Sequence, residues 1–566
     1  MPGFYVSNLA DIELINRYPE GCVSGSIQQE GFTVKRHTLN RFLNDKLFCA
    51  DGPALHITEG VVLNKQDLSI QHNCTDFSET VQNMYKKSPD CFFADFRGSF
   101  SGAIFDKAGE RWNFYTNHYG DKPLFYYFKD GRFAVGSQVN YILDALRTAK
   151  VPLTLNEKAI YFMLTYGFME DDSTYACEIK RLPAGHHLVI DRDGLRIQKY
   201  YTVGAGPETL TNVSEADIIE RLDGLFREAV RLEYEKDLEY GYQHLTDISG
   251  GLDSRMNTWV AHNMGYTSIT NISYSQSDST DDMVAKQVAS SLGTEYIYRA
   301  LDDAGFMKDL DEIISMNYGL ALYSGITGGN SLLRALNMSR FGLEHTGQVG
   351  DVIIGAWRNK AEPLKYERAG FYSTRLVNRL GSFDCSSYQD SHDYLFRVRA
   401  FNGALSTHMI RQNYTEVASP FLNIEFFEFC MSIPTKLRAE HRLYKKWILS
   451  KYPEAGRFIW EKSGCKIGAS DIRKKITKIL KKGFPKALKI IGIPIRKPNG
   501  MNPMDYWLRQ NPSLREYWET YFDENIQNPL LREELRNDIS VMFREGSAME
   551  KTQALTALGA LRFYFK

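Results

Sequence analysis

The chain has 566 residues, of which 43% are hydrophobic and 24% charged, and 68 Lys and Arg stand against 69 Asp and Glu for a net charge of -1. That length predicts roughly two to four domains, because a single core stops growing well below it. The composition excludes a disordered or fibrous chain, and the near-zero charge names no polyionic partner.

Eight cysteines are scattered with no CxxC pair and no metal-ligand spacing, so neither a disulfide framework nor a zinc site is suggested and a reducing compartment fits. The N-terminus has no basic start followed by an apolar core, and no run of about eighteen apolar residues occurs, so a cytoplasmic protein is expected.

Residues 1–205 read as short strands with turn punctuation. GCVSGSI, PALHITEGVVL and RGSFSGAIFDKAGERWNFYTNHYGDKPLFYYFKDGRFAVGS alternate aromatic and branched residues between KAGE, YGDK and KDGR, which are hairpin signals. An antiparallel-sheet domain follows from them. The polar stretch VGAGPETLTNVSEAD is a linker, and Ser214 with Asp217 makes a capping box for a helix through about residue 235.

From 242 the pattern becomes strand (243–249), glycine loop, helix, strand (TSITNISYS), helix (DDMVAKQVASSLG) and strand (EYIYRA), the alternation of a parallel sheet with crossover helices. After 360 the reading is mainly helical, through to LTALGALRFYFK. The predicted division is 1–205, 206–470 and 471–566, with no internal repeat.

Residues 472–504 hold ten Lys or Arg and no acid. Ile472, Ile476, Ile479 and Leu480 share one helical face with lysines opposite. Such a segment is either a packed helix with a solvated basic face or an element that lies on an anionic membrane surface through 472–497. The second reading would put the protein at the inner face of the membrane. A nucleic-acid partner is not expected.

In HLTDISGGLDSRM, Gly250 and Gly251 follow a strand and leave backbone N–H groups to surround an anion, and the next helix points its positive end there. Ser249 and Ser254 add hydroxyl donors, and Asp253 can hold a divalent cation that bridges phosphate oxygens. No lysine follows in the GxxxxGK[ST] manner, which disfavours an ordinary P-loop.

SGGLDS at this place resembles the pyrophosphatase loop of enzymes that cleave ATP between its α and β phosphates, and the chain resembles the asparagine synthetase family. DDMVAKQVASSLGTEY, EHTGQVGDVIIGA (344–356), SPFLNIEFFEFCMSIPTKLR (419–438) and YKKWILSKYPEAGRFIWEKSGCKIG (444–468) resemble further family segments in order. Upstream, RGSFSGAIFD, YGDKPLFYY and LPAGHHLVID resemble the glutaminase domain. The likeness covers about residues 1–470.

The resemblance implies an N-terminal Ntn-hydrolase-like sandwich of antiparallel sheets, then an α/β adenine-nucleotide α-hydrolase-like domain with a helical C-terminal part. It implies ATP and Mg²⁺ as cofactors. Asp253 and Asp351 would be the metal carboxylates, and Ser249, Gly250, Gly251, Leu252, Asp253, Ser254, Ser273 and Gly347 would bind ATP. Lys462 would stabilise charge at the acyl carbonyl and leaving phosphate. The spacing from Trp460 is one residue shorter than in asparagine synthetases, so Lys466, in a KIG context similar to that of β-lactam synthetases, competes with it. Lys446 aligns with another basic family position.

The chain departs from the family most in its first domain. Glutamine-dependent members begin MCG, whereas here Pro2 stands at the position of the nucleophile. EGVVLN (59–64) replaces NGEIYN, which puts the Glu59 carboxylate where it would repel an oxyanion, and Phe77 stands near the place of an acid. There is no RGP-type arginine loop in 25–52. A glutaminase-like but inactive domain is expected. In the second domain Gln348, Val352 and Asn423 replace family acids, which puts aspartate in doubt as the substrate.

The expected activity is an ATP-dependent carbon–nitrogen ligase that forms an acyl-adenylate and passes it to ammonia or another amine. The carboxylate is a small molecule or a glycan, and the TGQVGD loop resembles proteins of surface-polysaccharide clusters thought to amidate sugar uronates. Ammonia-dependent asparagine synthesis, ring closure of the β-lactam synthetase or lasso-peptide cyclase type and a catalytically dead scaffold are the alternatives. A homodimer is compatible with the sequence.

Overall fold

The structure is a computed structural model and describes residues 2–14, 21–50, 52–204, 208–325, 327–357, 365–366, 370–470 and 500–566. The basic stretch 472–497 lies outside the described residues.

The first two hundred residues form two six-stranded sheets in which every pairing is antiparallel. Gly3–Ser7 is central in one sheet and buried along its whole length, because both of its faces are covered. Phe4 and Val6 meet Leu55, Ala103 and Phe114 of the second sheet. Tyr5 points the other way, toward Tyr141 of the helix Val139–Thr148. Behind the second sheet, the helix Phe77–Lys87 covers Phe100 and Tyr115. The predicted antiparallel domain is thus a four-layered sandwich of helix, sheet, sheet and helix.

Helix α1 (Glu215–Glu239) starts where predicted and runs four residues farther. Ser214 Oγ accepts from the Asp217 N–H at 3.1 Å. The Asp217 carboxylate accepts from the Ser214 hydroxyl at 2.7 Å, so one half of the predicted capping box is formed.

A five-stranded parallel sheet follows: β1 (Gln243–Asp247), β2 (Ile269–Ser275), β3 (Glu295–Ala300), β4 (Phe341–His345) and β5 (Val417–Ala418), in the order β3-β2-β1-β4-β5. β1 ends two residues before its predicted limit because 248–252 leave the sheet to form the glycine loop. α2 (Asp253–Asn263) follows β1, and α3 (Thr280–Leu292) follows β2. The strand ends that open toward these loops are where open parallel sheets bind ligands.

The rest is largely helical and includes α4 (Ile424–Ser432), α5 (Arg442–Lys451) and α6 (Ala548–Tyr564). α6 is buried on nearly all sides and packs into the core that holds Val139–Thr148 and Glu157–Tyr166, where Gln553 Nε2 donates to the Met163 carbonyl at 3.0 Å. This helix therefore packs against the N-terminal half. Among the described residues no helix is long and apolar enough to cross a membrane.

Candidate active site at the ends of the parallel strands

The loop after β1 is braced by its own side chains. The Gly251 N–H donates to Ser249 Oγ at 3.2 Å, the Ser249 N–H donates to Ser254 Oγ at 3.1 Å, and the two hydroxyls lie 2.9 Å apart. The Gly250 N–H donates to Asp281 Oδ1 in the first turn of α3, at 3.1 Å. Both glycine N–H groups expected to face an anion are thus engaged within the protein. A Cβ on Gly250 would stand 2.9 Å from Glu461 Cβ, so the close approach needs glycine. Burial pushes the Asp281 carboxyl up to about 6, with Glu461 adding to the shift.

Arg255 holds this loop to the segment that follows α5. Its guanidinium donates to the carbonyls of Gly250 (3.1 Å), Ala455 (3.1 Å) and Ile459 (2.7 Å), and it is fully buried. Burial lowers its pKa to about 10.

The loop after β4 comes from the other side. A Cβ on Gly347 would fall 2.4 Å from the Ser254 nitrogen, which keeps this position a glycine, and Val349 takes φ 59° to turn the chain into Gly350–Ile353. That turn aims the Asp351 N–H at Asp253 Oδ2, 2.9 Å away. Tyr444 on α5 donates to the other oxygen, Oδ1, at 2.8 Å. Burial, and next the Asp351 carboxylate, raise the Asp253 pKa to about 8. Lys462 Nζ lies 3.9 Å from Asp351 Oδ2 and 5.8 Å from the Trp460 ring centre.

A cavity of about 310 Å³ opens between the two loops. Ser249, Asp253, Ser254, Ser273, Gly347 and Gln348 lie on its wall, with Tyr274 and Arg411. Arg411 is held by Asp247 Oδ2 at 2.8 Å and by Glu344, and it donates to the Tyr274 hydroxyl at 3.2 Å. Two carboxylates, one of them half-buried and reluctant to ionise, suit a hard divalent cation whose charge would overcome their mutual repulsion.

In the N-terminal half, Glu59 ends the strand Ala54–Gly60 and is 2% exposed. Its Oε1 accepts from the Thr38 hydroxyl at 2.8 Å and lies 3.7 Å from Lys46 Nζ and 3.5 Å from Lys122 Nζ. Glu416, from the residue before β5, pairs with the same lysines at 2.9 Å and 2.6 Å. A buried quartet of alternating charges thus joins the two halves. The repulsive carboxylate expected at 59 is a neutralised one, because both lysines face it.

The glutamine amidotransferase domain family matches residues 59–201. Asparagine synthetase (glutamine-hydrolyzing) 1 of Bacillus subtilis (strain 168) is 21% identical over 246 residues, which are 43% of this chain and 37% of that protein. A Methanocaldococcus jannaschii chain provisionally named asparagine synthetase (glutamine-hydrolyzing) 2 is 26% identical over 218 residues, 38% of this chain and 41% of its own. The chain is thus similar to glutamine amidotransferase domains and to asparagine synthetases over parts of its length.

It spans about two fifths of the length of each of these curated relatives. Among solved structures, the glutamine phosphoribosylpyrophosphate amidotransferase of B. subtilis complexed with ADP and GMP is 10% identical at a TM-score of 0.21, covering 47% of this chain and 51% of that one. A glutamine aminotransferase class-II domain protein of Silicibacter pomeroyi is 12% identical at 0.19, covering 35% and 91%. At those scores the superpositions add nothing to the fold described above.

In this asparagine synthetase-like chain the structure brings most of the expected site residues together and separates others. Ser249, Gly250, Gly251, Asp253, Ser254, Gly347 and Asp351 form one cluster, and Ser273 closes the cavity from β2. Leu252 turns into the core beneath α2, so only its backbone belongs to the loop.

Lys462 stands beside Asp351. Lys466, opposite Ile459 in a two-stranded hairpin, is exposed and pairs with neither aspartate. Lys446 is placed elsewhere: two residues along α5 from Tyr444, it points around the helix to Glu215 at the start of α1.

Of the replaced acids, Gln348 lies on the cavity wall. Val352 is in the core, and Asn423 caps α4 by accepting from the Phe426 N–H at 3.0 Å. The last two take packing and capping positions. Phe77 begins the helix behind the second sheet and packs in its core. Sequence reasoning missed Tyr444, Arg255 and Arg411. The SGGLDSR string does display Arg255, but only the fold reveals the carbonyls it gathers.

Proposed function

We propose that the chain is an ATP-dependent amide-forming ligase that activates a carboxylate as an acyl-adenylate, releases pyrophosphate and transfers the acyl group to ammonia or another amine. The observation that carries this reading is Asp253, on the wall of a cavity of about 310 Å³ and bonded at 2.9 Å by the backbone N–H of Asp351 from the second glycine loop. Asp253 and Asp351 would hold a divalent cation, which when bound supplies charge neutralisation of the departing pyrophosphate.

The chain's own groups do the remainder. Ser249 and Ser254 offer hydroxyls to phosphate oxygens, and Gly347 lets the second loop close against the first. Lys462, half-exposed beside Asp351, is free to swing toward the carbonyl and phosphate on which charge develops. A carboxylate oxygen attacks the α-phosphorus, pyrophosphate leaves, and the amine then displaces AMP from the carbonyl.

The N-terminal sandwich serves this reading as a structural partner and not as a glutaminase. In support, the Glu59 carboxylate, which replaces the family's Asn, is engaged by Lys46 and Lys122 and is no neutral donor for an oxyanion. The substrate class we favour is a sugar uronate, on the likeness of the TGQVGD loop.

Pyrophosphate release with MgATP, assayed against a panel of uronates, aspartate and other acids with ammonia or glutamine, tests the whole scheme. Release with a uronate and ammonia is expected. Silence with every acid would instead support a scaffold, and glutamine outperforming ammonia would overturn the account of the first domain.

A further inference from the structure

The two strands that deliver the aspartate loops are joined beneath them by a cluster outside the nucleotide cavity. Between the pairs Gln243–Phe341 and Leu245–Glu344, β4 carries one residue more than β1. This bulge sets His345 opposite Thr246, on the face of the sheet that His244 shares. Asp237, near the end of α1, meets both rings: its Oδ2 lies 2.8 Å from His244 Nδ1 and 2.7 Å from His345 Nε2. The Leu343 N–H donates to its Oδ1 at 2.7 Å, which fixes the carboxylate and leaves Oδ2 to the imidazoles.

The surroundings are equally specific. A Cβ on Gly342 would fall 2.1 Å from Asp237 Oδ1, so this approach is open only to glycine. Glu233, one turn earlier on α1, sits 3.1 Å from the far nitrogen of His345, and Tyr234 stacks on the same ring at 4.0 Å. Asp237, Glu233, His244 and His345 are all buried, and among the described residues no lysine or arginine reaches ion-pair distance of either carboxylate. Two carboxylates held out of water with imidazoles as their only side-chain ion-pair partners are costly unless a positive charge lies between them, which an imidazolium or a bound metal ion supplies.

Two imidazole nitrogens and one carboxylate oxygen, all within 4.8 Å of one another, form a zinc-type donor set. Glu233 behind His345 supplies the carboxylate that orients a metal-ligating histidine. We propose that Asp237, His244 and His345 bind a zinc-class divalent cation, and that this ion pins the bases of the two aspartate loops.

Zinc bonds of about 2.0–2.1 Å at tetrahedral angles set ligand atoms roughly 3.3 Å apart, so the ion enters with a widening of about half an ångström between the carboxylate and each ring. The protons that His244 Nδ1 and His345 Nε2 now share with Oδ2 leave to solvent as it binds. His345 precedes Gly347 by two residues and His244 precedes Ser249 by five, so the ion would set the spacing of Asp253 and Asp351 from below.

The test uses the full chain without a histidine tag, exposed to zinc and dialysed. Elemental analysis should find about one equivalent of zinc per chain, and the cobalt-substituted protein should show visible bands of nitrogen and oxygen ligation without thiolate charge transfer. Thermal melting should rise when zinc is returned to chelated protein. His345→Gln and Asp237→Asn should lose both the ion and the rise. Should either variant fail to fold, the wild-type cobalt spectrum still decides. A chain that retains no zinc, a thiolate-type cobalt spectrum, or a folded His345→Gln protein that keeps its full equivalent would each overturn the proposal.

Discussion

The Asp351 backbone N–H donates to Asp253 Oδ2 at 2.9 Å, so the carboxylate on the cavity wall is tied to the separate loop that carries Asp351. Burial and the neighbouring carboxylate hold Asp253 at about 8. Below that value the group is protonated, and a divalent cation must displace the proton. The apparent Mg²⁺ requirement for pyrophosphate release is therefore expected to rise as pH falls below 8 and to flatten above it. Titrations of Mg²⁺ between pH 6.5 and 9 check this, and an unchanged requirement would remove the proton from the account.

The same shift bears on stability without the cation. The unfolded carboxyl ionises near 4 while the folded one keeps its proton to about 8. The contribution is full below about 4 and is lost as pH rises toward 8. Asp253→Asn should melt with a flatter pH dependence across that window, and its pyrophosphate release should fall by roughly 10²-fold or more.

Lys462 and Lys466 are separated by their surroundings. Lys462 lies 3.9 Å from Asp351 Oδ2, whereas Lys466 is exposed on the hairpin. Lys462→Met should lower kcat for pyrophosphate release by about 10²-fold with little change in KM for ATP. Lys466→Met should stay within about threefold of wild type. The reverse order would transfer the role to Lys466.

The buried quartet makes a prediction about acid. Burial pushes Glu416 up, but Lys122 and then Lys46 outweigh it and leave the carboxyl at about 2. Its stabilising contribution is present above the unfolded value of about 4.3 and fades as pH falls toward 2. Lys122→Met leaves a buried carboxylate short of a partner and should cost about 3–5 kcal/mol in denaturant melts at pH 7. Adding Glu416→Gln should recover part of that loss, since removing both charges is milder than removing one.

Tyr444 donates to Asp253 Oδ1 at 2.8 Å, a bond that favours the ionised carboxylate. Tyr444→Phe should raise the Mg²⁺ needed for half-maximal rate several-fold and lower stability by about 0.5–1.5 kcal/mol. Equal Mg²⁺ curves for the two proteins would show that the phenol only packs.

Much of this organisation was legible in local sequence. Period-two alternation between turn residues marks the antiparallel half, and strand–glycine–helix alternation marks the parallel sheet, because side-chain direction follows backbone period. SGGLDS declared a loop at a strand end, and EYIYRA is β3 to the residue.

What only the tertiary structure decided is which distant groups meet, since spacing along the chain carries no information about packing between elements. Tyr444 reaches Asp253 from α5, 191 residues away, while Lys446 two positions later faces Glu215. Asn423, which stands where the family carries an acid, is a helix cap, and Glu59, suspected of repelling an oxyanion, is neutralised by two lysines. A single extra residue in β4 turned His345 toward His244, a placement set by the register of pairing strands and invisible in either strand alone.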